Sequence, residues 1–416
     1  MKPLPTKGIP APQVFDELES LRAGDVDWRN GKVFSLAYYA GSQAIAVAED
    51  AYRRFSGENA LSTDAFPSLR IMQQDVLSMV GPWLGADKES AGFMTSGGTE
   101  SILMVVKAAR DQFAQTKAVT TPNIVLPTSA HAAFEKACHY FGVESRRAAV
   151  GPDWRADIAA MERLIDGNTV MLIASAPQYP QGVIDDVAGI AALASSHGIN
   201  CHVDACMGGV TLAYLEKLGL PIPPWNLQVP GVTSISVDLH KYGYTSKGAS
   251  VVMYSSKSLR AHQGFFTDNW LGGMYASSGM LGTKSGGSIA SAWAVLRHLG
   301  DDGYTELTQR ARNATVKIAD HITAHPHLVL RAYPESTLVC FGAADPSTLN
   351  VFAVADELRT RGWYVDRQLP PESLHCTVNA IHHDKIESFI IDLDESVNTV
   401  LNTRLSGDVG SYGNLE

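Results

Sequence analysis

No run of about 18 consecutive apolar residues occurs in the sequence, so no membrane-spanning helix is expected. Cysteine is scarce: the 416 residues hold five. Cys138, Cys201, Cys206, Cys340 and Cys376 form no CxxC and no zinc-type spacing, so neither a disulfide framework nor a zinc module is expected. The thiols read as reduced, in a cytoplasmic protein. Positive charge is short as well. Against 43 Asp and Glu stand only 33 Lys and Arg, a net charge of −10. Such a surface does not attract a polyanion, and no nucleic-acid partner is expected. There is no run of like charges and no internal repeat. The N-terminal stretch MKPLPTKGIPAPQ has no apolar core of the signal-peptide kind. With 45% hydrophobic and 18% charged residues, the composition is that of an ordinary globular protein.

Periodicity then gives elements. Four prolines in the first dozen residues predict a flexible arm. Apolar residues at helical spacing predict a helix over 41–57 and another opened by Pro67, with Leu69, Met72, Val76, Leu77 and Val80 as its buried stripe, ending near Gly81-Pro82. From residue 90 short apolar runs alternate with amphipathic segments. Strands are predicted at 91–95, 124–126, 170–174, 199–204, 233–238 and 249–254, and helices at 99–113, 131–141 and 185–197. This alternation predicts an α/β unit with a largely parallel sheet. A long helix from about 290 towards 325 follows. Strands at 328–331, 337–341, 363–366 and 374–378, with helices at 351–361 and 385–401, suggest a smaller α+β unit. The expected division is an N-terminal arm and helix over 1–57, a large domain over 58–300 and a small one over 301–416. The Gly- and Ser-rich tail after Leu405 is expected to be loose.

Three motifs carry chemistry. In Ser236-Val-Asp-Leu-His240-Lys241-Tyr242-Gly243 a lysine follows a β-type run. Alone it reads as a surface lysine at a strand end. In His202-Val-Asp204-Ala-Cys206-Met-Gly-Gly209 an aspartate closes an apolar strand, where α/β sheets place ligands; the plain alternative is a turn or cap residue. Thr95-Ser-Gly-Gly98-Thr99-Glu100 is a Gly-rich turn between strand and helix, able to hold a phosphate on backbone N–H groups or merely to cap the helix. Together the three fit pyridoxal 5′-phosphate, which needs a lysine for its aldehyde, an acid for its ring nitrogen and an anion site for its phosphate. Lys241, Asp204 and the Ser96–Thr99 turn supply these. His131 is placed to stack on the ring, or else simply opens a helix.

At this point the sequence resembles the pyridoxal phosphate-dependent enzymes of fold type I, in the group of amino-acid decarboxylases with an Asp-x-His-Lys motif, and more narrowly the sphingosine-1-phosphate lyases. The resemblance rests on FPSLR (66–70), TSGGTESILM (95–104), SAHAAFEKA (129–137), PQYPQGVIDD (177–186), HVDACMGG (202–209), GVTSISVDLHKYGYTSKG (231–248), GGMYAS (272–277) and WYVDRQLPP (363–371), which span most of the chain in family order. It implies an α/β fold with a mostly parallel sheet in the large domain and a smaller C-terminal α+β domain. It also implies retro-aldol cleavage of sphingosine 1-phosphate, or a similar 2-amino-3-hydroxyalkyl phosphate, to a long-chain aldehyde and phosphoethanolamine.

The resemblance further implies roles. Lys241 binds the cofactor and Asp204 partners its ring nitrogen. His131 stacks on the ring. Gly97, Gly98 and Thr99 form the phosphate turn, with His240 beside it. Lys247 binds the substrate phosphate. Tyr38, with Tyr39 adjacent, is contributed to the site across a homodimer, and Tyr38, a water near it, or Lys241 once released from the cofactor is the candidate base for proton transfer. Asn59 is a polar active-site position and Tyr179 lines the cavity. The chain departs from the family at four places. Ser62 and Thr63 stand where the family has histidine and proline, Lys284 where it commonly has arginine, and Gln181 where histidine is frequent. Serine brings a hydroxyl but no charge to the substrate phosphate, and lysine lacks arginine's bidentate fork. The resemblance implies the soluble bacterial form, without a membrane anchor. An amino-acid decarboxylase on the same scaffold, and a non-catalytic binding module of this fold, are the alternatives.

Overall fold

In the computed structural model, residues 3–407 are described. Seven strands build the main sheet: β1 (Ala91–Thr95), β2 (Asn123–Pro127), β3 (Glu144–Ala148), β4 (Thr169–Ser175), β5 (Asn200–Asp204), β6 (Ser234–Val237) and β7 (Ser250–Tyr254). Their order is β1-β7-β6-β5-β4-β2-β3. All neighbours run parallel except β7, which is antiparallel to both β1 and β6. The expected largely parallel sheet is therefore present. β4 is buried at all seven positions, as a continuous apolar run covered on both faces requires. β3, read Glu-Ser-Arg-Arg-Ala, lies at the sheet edge with only Ala148 buried.

Helices cover the sheet. Gly98–Lys117 packs across β4 to β7, and Val187–Ser196 packs on β4 and β5. Pro67–Val80 opens with proline at its first turn and buries Leu69, Met72, Val76 and Val80; Leu77 is only partly buried. Two further corrections concern starts. The helix expected from His131 begins at Ala133, and the long helix begins at Gly286 and runs to Ala324, broken at Gly300, whose φ is 60°.

A hairpin, β8 (Phe265–Thr267) and β9 (Tyr275–Ser277), was not foreseen. A second sheet contains β10 (Leu328–Leu330), β11 (Leu338–Ala343), β12 (Asp366–Gln368) and β13 (Ser373–Thr377), in the order β10-β11-β13-β12 and antiparallel throughout. The strand expected at 363–366 is displaced to Asp366–Gln368. Tyr364 instead bridges to Val33 of the N-terminal segment, and Phe34 N–H donates to Tyr364 O at 2.9 Å. Residues 3–10 have no regular structure, but Ala11–Leu21 is helical, so the arm is shorter than expected. The tail from residue 408 lies outside the described residues.

Two apolar cores result. One lies on both faces of the main sheet. The other contains Phe34, Phe341, Phe352, Trp363 and Phe389 between the second sheet and its helices. The long helix serves both, through Ile289 and Ala292 at one end and Ile318 and Ile322 at the other. All five cysteines are buried and free.

Candidate active site

The carboxyl ends of β5 and β6 meet at a cavity of about 230 Å³, lined by Gly97, Thr99, His131, Asp204, His240 and Lys241 among others. Asp204 is the last residue of β5. Its Oδ1 accepts from Cys206 N–H at 3.1 Å and from Ser236 Oγ at 3.5 Å. β5 and β6 are in register at His202–Ser234 and Asp204–Ser236, which lines up a polar chain beneath the cavity. Ser236 Oγ meets His202 Nε2 at 3.3 Å, and His202 Nδ1 meets Ser234 Oγ at 2.9 Å. Burial drives the His202 pKa down to about 4, so this ring is neutral.

Lys241 lies in the tight turn after β6. Its Nζ is 3.0 Å from Oδ2 of Asp238, a carboxylate only 3% exposed. Ser250 Oγ donates to the other oxygen at 2.6 Å. Burial alone would raise the Asp238 pKa, but the charges of Lys241 and His240 and the serine bond outweigh it, and the carboxyl is held below its ordinary range. Sequence reasoning quoted Asp238 without giving it a role, although the first position of the Asp-x-His-Lys motif was the available signal.

The Gly-rich turn abuts this carboxylate. A Cβ on Gly98 would sit 2.7 Å from Cys206 Sγ and 2.8 Å from Asp238 Oδ2, so only glycine fits there. Glu100 fixes the turn: its Oε2 accepts from Ser96 N–H at 2.6 Å, and its Oε1 from Met280 N–H at 2.8 Å. One buried carboxylate thus joins the turn to the segment that follows β9. Nothing in the sequence signalled that second bond.

His131 precedes its helix, and its Nδ1 accepts from Ala133 N–H at 3.1 Å. Nδ1 therefore carries no proton and any proton sits on Nε2. Burial lowers the His131 pKa, with Lys241 in the same sense and Asp204 in the opposite one. His240 Nδ1 is buried without a partner. Burial and the charge of Lys247 lower the His240 pKa against the pull of Asp238.

Lys247, Tyr38 and Tyr39 line a separate cavity of about 380 Å³ that shares His240 with the first. Lys247 Nζ donates to Leu36 O at 2.7 Å and to His240 O at 3.3 Å, and lies 5.2 Å from the centre of the Tyr38 ring. The residue is exposed but its amine is sheltered; burial, then the charge of Lys241, pushes its pKa down to about 8. The Tyr38 ring stands edge-on to Tyr242 at 5.1 Å. Tyr179 lines the 230 Å³ cavity and donates to Asp366 Oδ2 at 2.7 Å. It also borders a mostly apolar groove of about 740 Å³, walled by Trp154, Pro180 and Leu369–Pro371 and lined as well by Gln181 and by charged Glu135, Arg147, Asp366 and Arg367.

Two residues named from the sequence lie elsewhere in the chain. Asn59 organises its own loop, its Oδ1 accepting from Leu61 N–H at 3.0 Å and Lys284 N–H at 3.2 Å. Ser62 is exposed and lines none of these cavities. Lys284 is turned inward, bonded to Met94 O, with burial pushing its pKa down to about 8.

Residues 3–344 match the model of the pyridoxal-dependent decarboxylase conserved domain. The chain belongs to the pyridoxal-dependent decarboxylase family. It is 40% identical over 405 residues to the sphingosine-1-phosphate lyase of Oryza sativa subsp. japonica, covering 95% of this chain and 74% of the relative. It is 38% identical over 404 residues to sphingosine-1-phosphate lyase 1 of Rattus norvegicus, covering 96% and 70%. Among solved structures, the sphingosine-1-phosphate lyase of Burkholderia pseudomallei K96243 superposes with a TM-score of 0.92 at 33% identity, over 97% of this chain and 94% of that one.

The cavity of this pyridoxal-dependent decarboxylase family member has the donor set that pyridoxal phosphate needs. An amine at Lys241 can take its aldehyde, Asp204 its ring nitrogen, and a neutral imidazole at His131 its face. The Gly97–Thr99 turn at a helix N-terminus can take its phosphate. The unpartnered Nδ1 of His240 beside that turn, and the glycine required at position 98, fit the same group.

Proposed function

We propose that the protein is a pyridoxal phosphate-dependent carbon–carbon lyase. It would cleave sphingosine 1-phosphate, or a similar 2-amino-3-hydroxyalkyl phosphate, into a long-chain aldehyde and phosphoethanolamine. The observation that carries this reading is the convergence of Lys241, Asp204, His131 and the Gly97–Thr99 turn on one cavity, in a chain 40% identical to a sphingosine-1-phosphate lyase. The apolar groove beside the cavity supports a long hydrocarbon chain.

In this reading, Lys241 holds the cofactor and Asp204 keeps a proton on the ring nitrogen. When bound, pyridoxal phosphate supplies a sink for the electron pair of the breaking bond. Lys247, with His240 between it and the cofactor residues, attracts the substrate phosphate and so orients the C2–C3 bond. Asn59 and Ser62 reach a site only if a second copy presents them. A homodimer is supported by the apolar surface around β8 and β9, where Phe266 is 67% and Met274 is 71% exposed. We retain the division into an arm and helix over 1–57, a large domain over 58–300 and a small one over 301–416, with Phe34 of the first part packed into the second core and Tyr304 and Leu307 of the last part packed into the first. No described helix is long and apolar enough to cross a membrane, and we place the protein in the cytoplasm.

The test is to incubate the cofactor-loaded protein with sphingosine 1-phosphate and assay both products. Equal amounts of aldehyde and phosphoethanolamine are expected, and none from Lys241→Ala. Steady-state cleavage by that variant would overturn the assignment. The family's decarboxylase description supports amino-acid decarboxylation as the second reading; carbon dioxide release with no aldehyde would select it.

A further inference from the structure

Tyr179 stands at a junction. It lines the cavity that holds Lys241 and also the apolar groove. If the substrate amine lies at Lys241 and its chain in the groove, the C3 hydroxyl falls between them, beside Tyr179. Two hydroxyls converge on a single oxygen behind it: Asp366 Oδ2 accepts from Tyr179 at 2.7 Å and also from Ser35 Oγ. A carboxylate oxygen accepts, so Tyr179 donates its proton to Asp366, and a hydroxyl that donates in this way is by its chemistry also an acceptor. The Tyr179 ring is held in place by His375, at 4.2 Å between centroids. Asp366 belongs to β12 of the second sheet, whereas the cofactor residues come from the first.

We propose that Asp366 is a positioning residue that turns Tyr179 into the base for the substrate's C3 hydroxyl. This rests on the lyase reading above. The hydroxyl proton passes to the Tyr179 oxygen as the tyrosine's own proton passes to Asp366. The C2–C3 bond breaks with its electron pair leaving on the C2 side, and C3 becomes the aldehyde carbon. The proton gained by Asp366 balances the one that C2 takes up, so no further reactant is required. Ser35 Oγ steadies the carboxylate and takes no part in the transfer.

The experiment compares wild type with Asp366→Asn, Asp366→Glu, Ser35→Ala, Tyr179→Phe and the Asp366→Asn/Tyr179→Phe double variant. It reads kcat and KM with a 2-amino-3-hydroxyalkyl phosphate. It also reads equilibrium binding of the matching 2-aminoalkyl phosphate, which lacks the hydroxyl, by its effect on the cofactor spectrum. Asp366→Asn should lower kcat about 10²- to 10⁴-fold, the usual weight of general base catalysis, with KM and analogue binding changed by less than about threefold. Asp366→Glu should recover at least about tenfold of that loss, and Ser35→Ala should lose less than about tenfold. The double variant should match Tyr179→Phe alone, because the two act as a unit. Full kcat in Asp366→Asn, multiplying losses in the double variant, or an equal loss of analogue binding would overturn the proposal and leave the lyase reading standing. A wild-type protein that cleaves no such substrate would overturn the lyase reading, and this proposal with it.

Discussion

Gly98→Ala tests the tightest geometry in the site. The added Cβ would lie 2.7 Å from Cys206 Sγ and 2.8 and 2.9 Å from the two oxygens of Asp238. All three separations are too short for carbon, so something must move. Neither neighbour is a flexible chain end: Cys206 and Asp238 are both buried, and Asp238 is held by Ser250 and Lys241. Overpacking of this kind costs about 1–3 kcal/mol. Alanine in a helix gains about 1 kcal/mol over glycine, so the net effect is destabilising, by up to about 2 kcal/mol. The functional effect should be larger than the stability effect. A Cβ that pushes the turn away from the Asp238–Lys241 pair also separates the places proposed for the cofactor's phosphate and aldehyde. Titration with pyridoxal phosphate, followed by its visible spectrum, should show affinity falling by at least about tenfold, equivalent to about 1.4 kcal/mol. Gly97→Ala is the control for the unliganded protein, since its Cβ would meet nothing closer than His240 Cε1 at 3.5 Å; its Tm should stay near wild type. Adding Cys206→Ala to Gly98→Ala should not restore affinity, because the clash with Asp238 persists. Full affinity in Gly98→Ala, or rescue by Cys206→Ala, would show that the carboxylate is not held where the packing puts it.

Phe34→Ala should destabilise the protein by about 3–5 kcal/mol in denaturant unfolding, since Phe34 is wholly buried and packs on His382 at 4.1 Å and Phe389 at 4.5 Å; a loss under about 1 kcal/mol would mean that the N-terminal segment is not part of that core. Affinity for the phosphorylated substrate should fall as pH rises through about 8, where the Lys247 amine loses its proton; Lys247→Arg, which stays charged, should flatten that dependence, and a flat wild-type profile would contradict the role of Lys247. Stability should fall as pH drops from about 6.5, where unfolded histidine protonates, towards about 4, where buried His202 does so in the fold. Across that window the unfolded chain binds more protons than the native one. His202→Gln should reduce the slope of unfolding free energy against pH, and an unchanged slope would place the acid sensitivity elsewhere.

The core strands were legible because burial on both faces demands uninterrupted apolar runs, and β4, β5, β6 and β7 begin and end within about a residue of expectation. The edge strand β3 was not, because its Glu-Ser-Arg-Arg segment is at most half-buried and carries no apolar pattern. The helix Ala11–Leu21 was hidden by Pro10 and Pro12, which read as breakers although proline is at home in a helix's first turn. The shift from 363–366 to Asp366–Gln368 has a tertiary cause: residues 363–365 bury Trp363 and pair with the N-terminal segment instead of the sheet. The same limit governs the site. Lys241, Asp204 and the Gly-rich turn are local motifs, each at a strand end. Asp366, 187 residues from Tyr179, and the contact of Glu100 with Met280, 180 residues away, are made by folding alone.

The two aspartates around Lys241 illustrate how local geometry separates roles that sequence leaves equivalent. Both follow or close a buried strand, and both reach the same cavity. Asp238 is committed: one oxygen accepts from Ser250 and the other faces the Lys241 amine at 3.0 Å. A carboxylate so engaged holds the lysine and has little left for a ring nitrogen. Asp204 is tied differently, through Oδ1 to a backbone N–H and to Ser236, with neutral His202 behind. No cation neutralises it through those contacts, so its charge remains to favour a protonated partner in the cavity. The strand register produces this difference. Pairing Asp204 with Ser236 and His202 with Ser234 gives Asp204 uncharged partners, while the turn after β6 brings the lysine back onto Asp238. A one-residue slip between β5 and β6 would turn these side chains to the opposite faces of the sheet and undo the assignment.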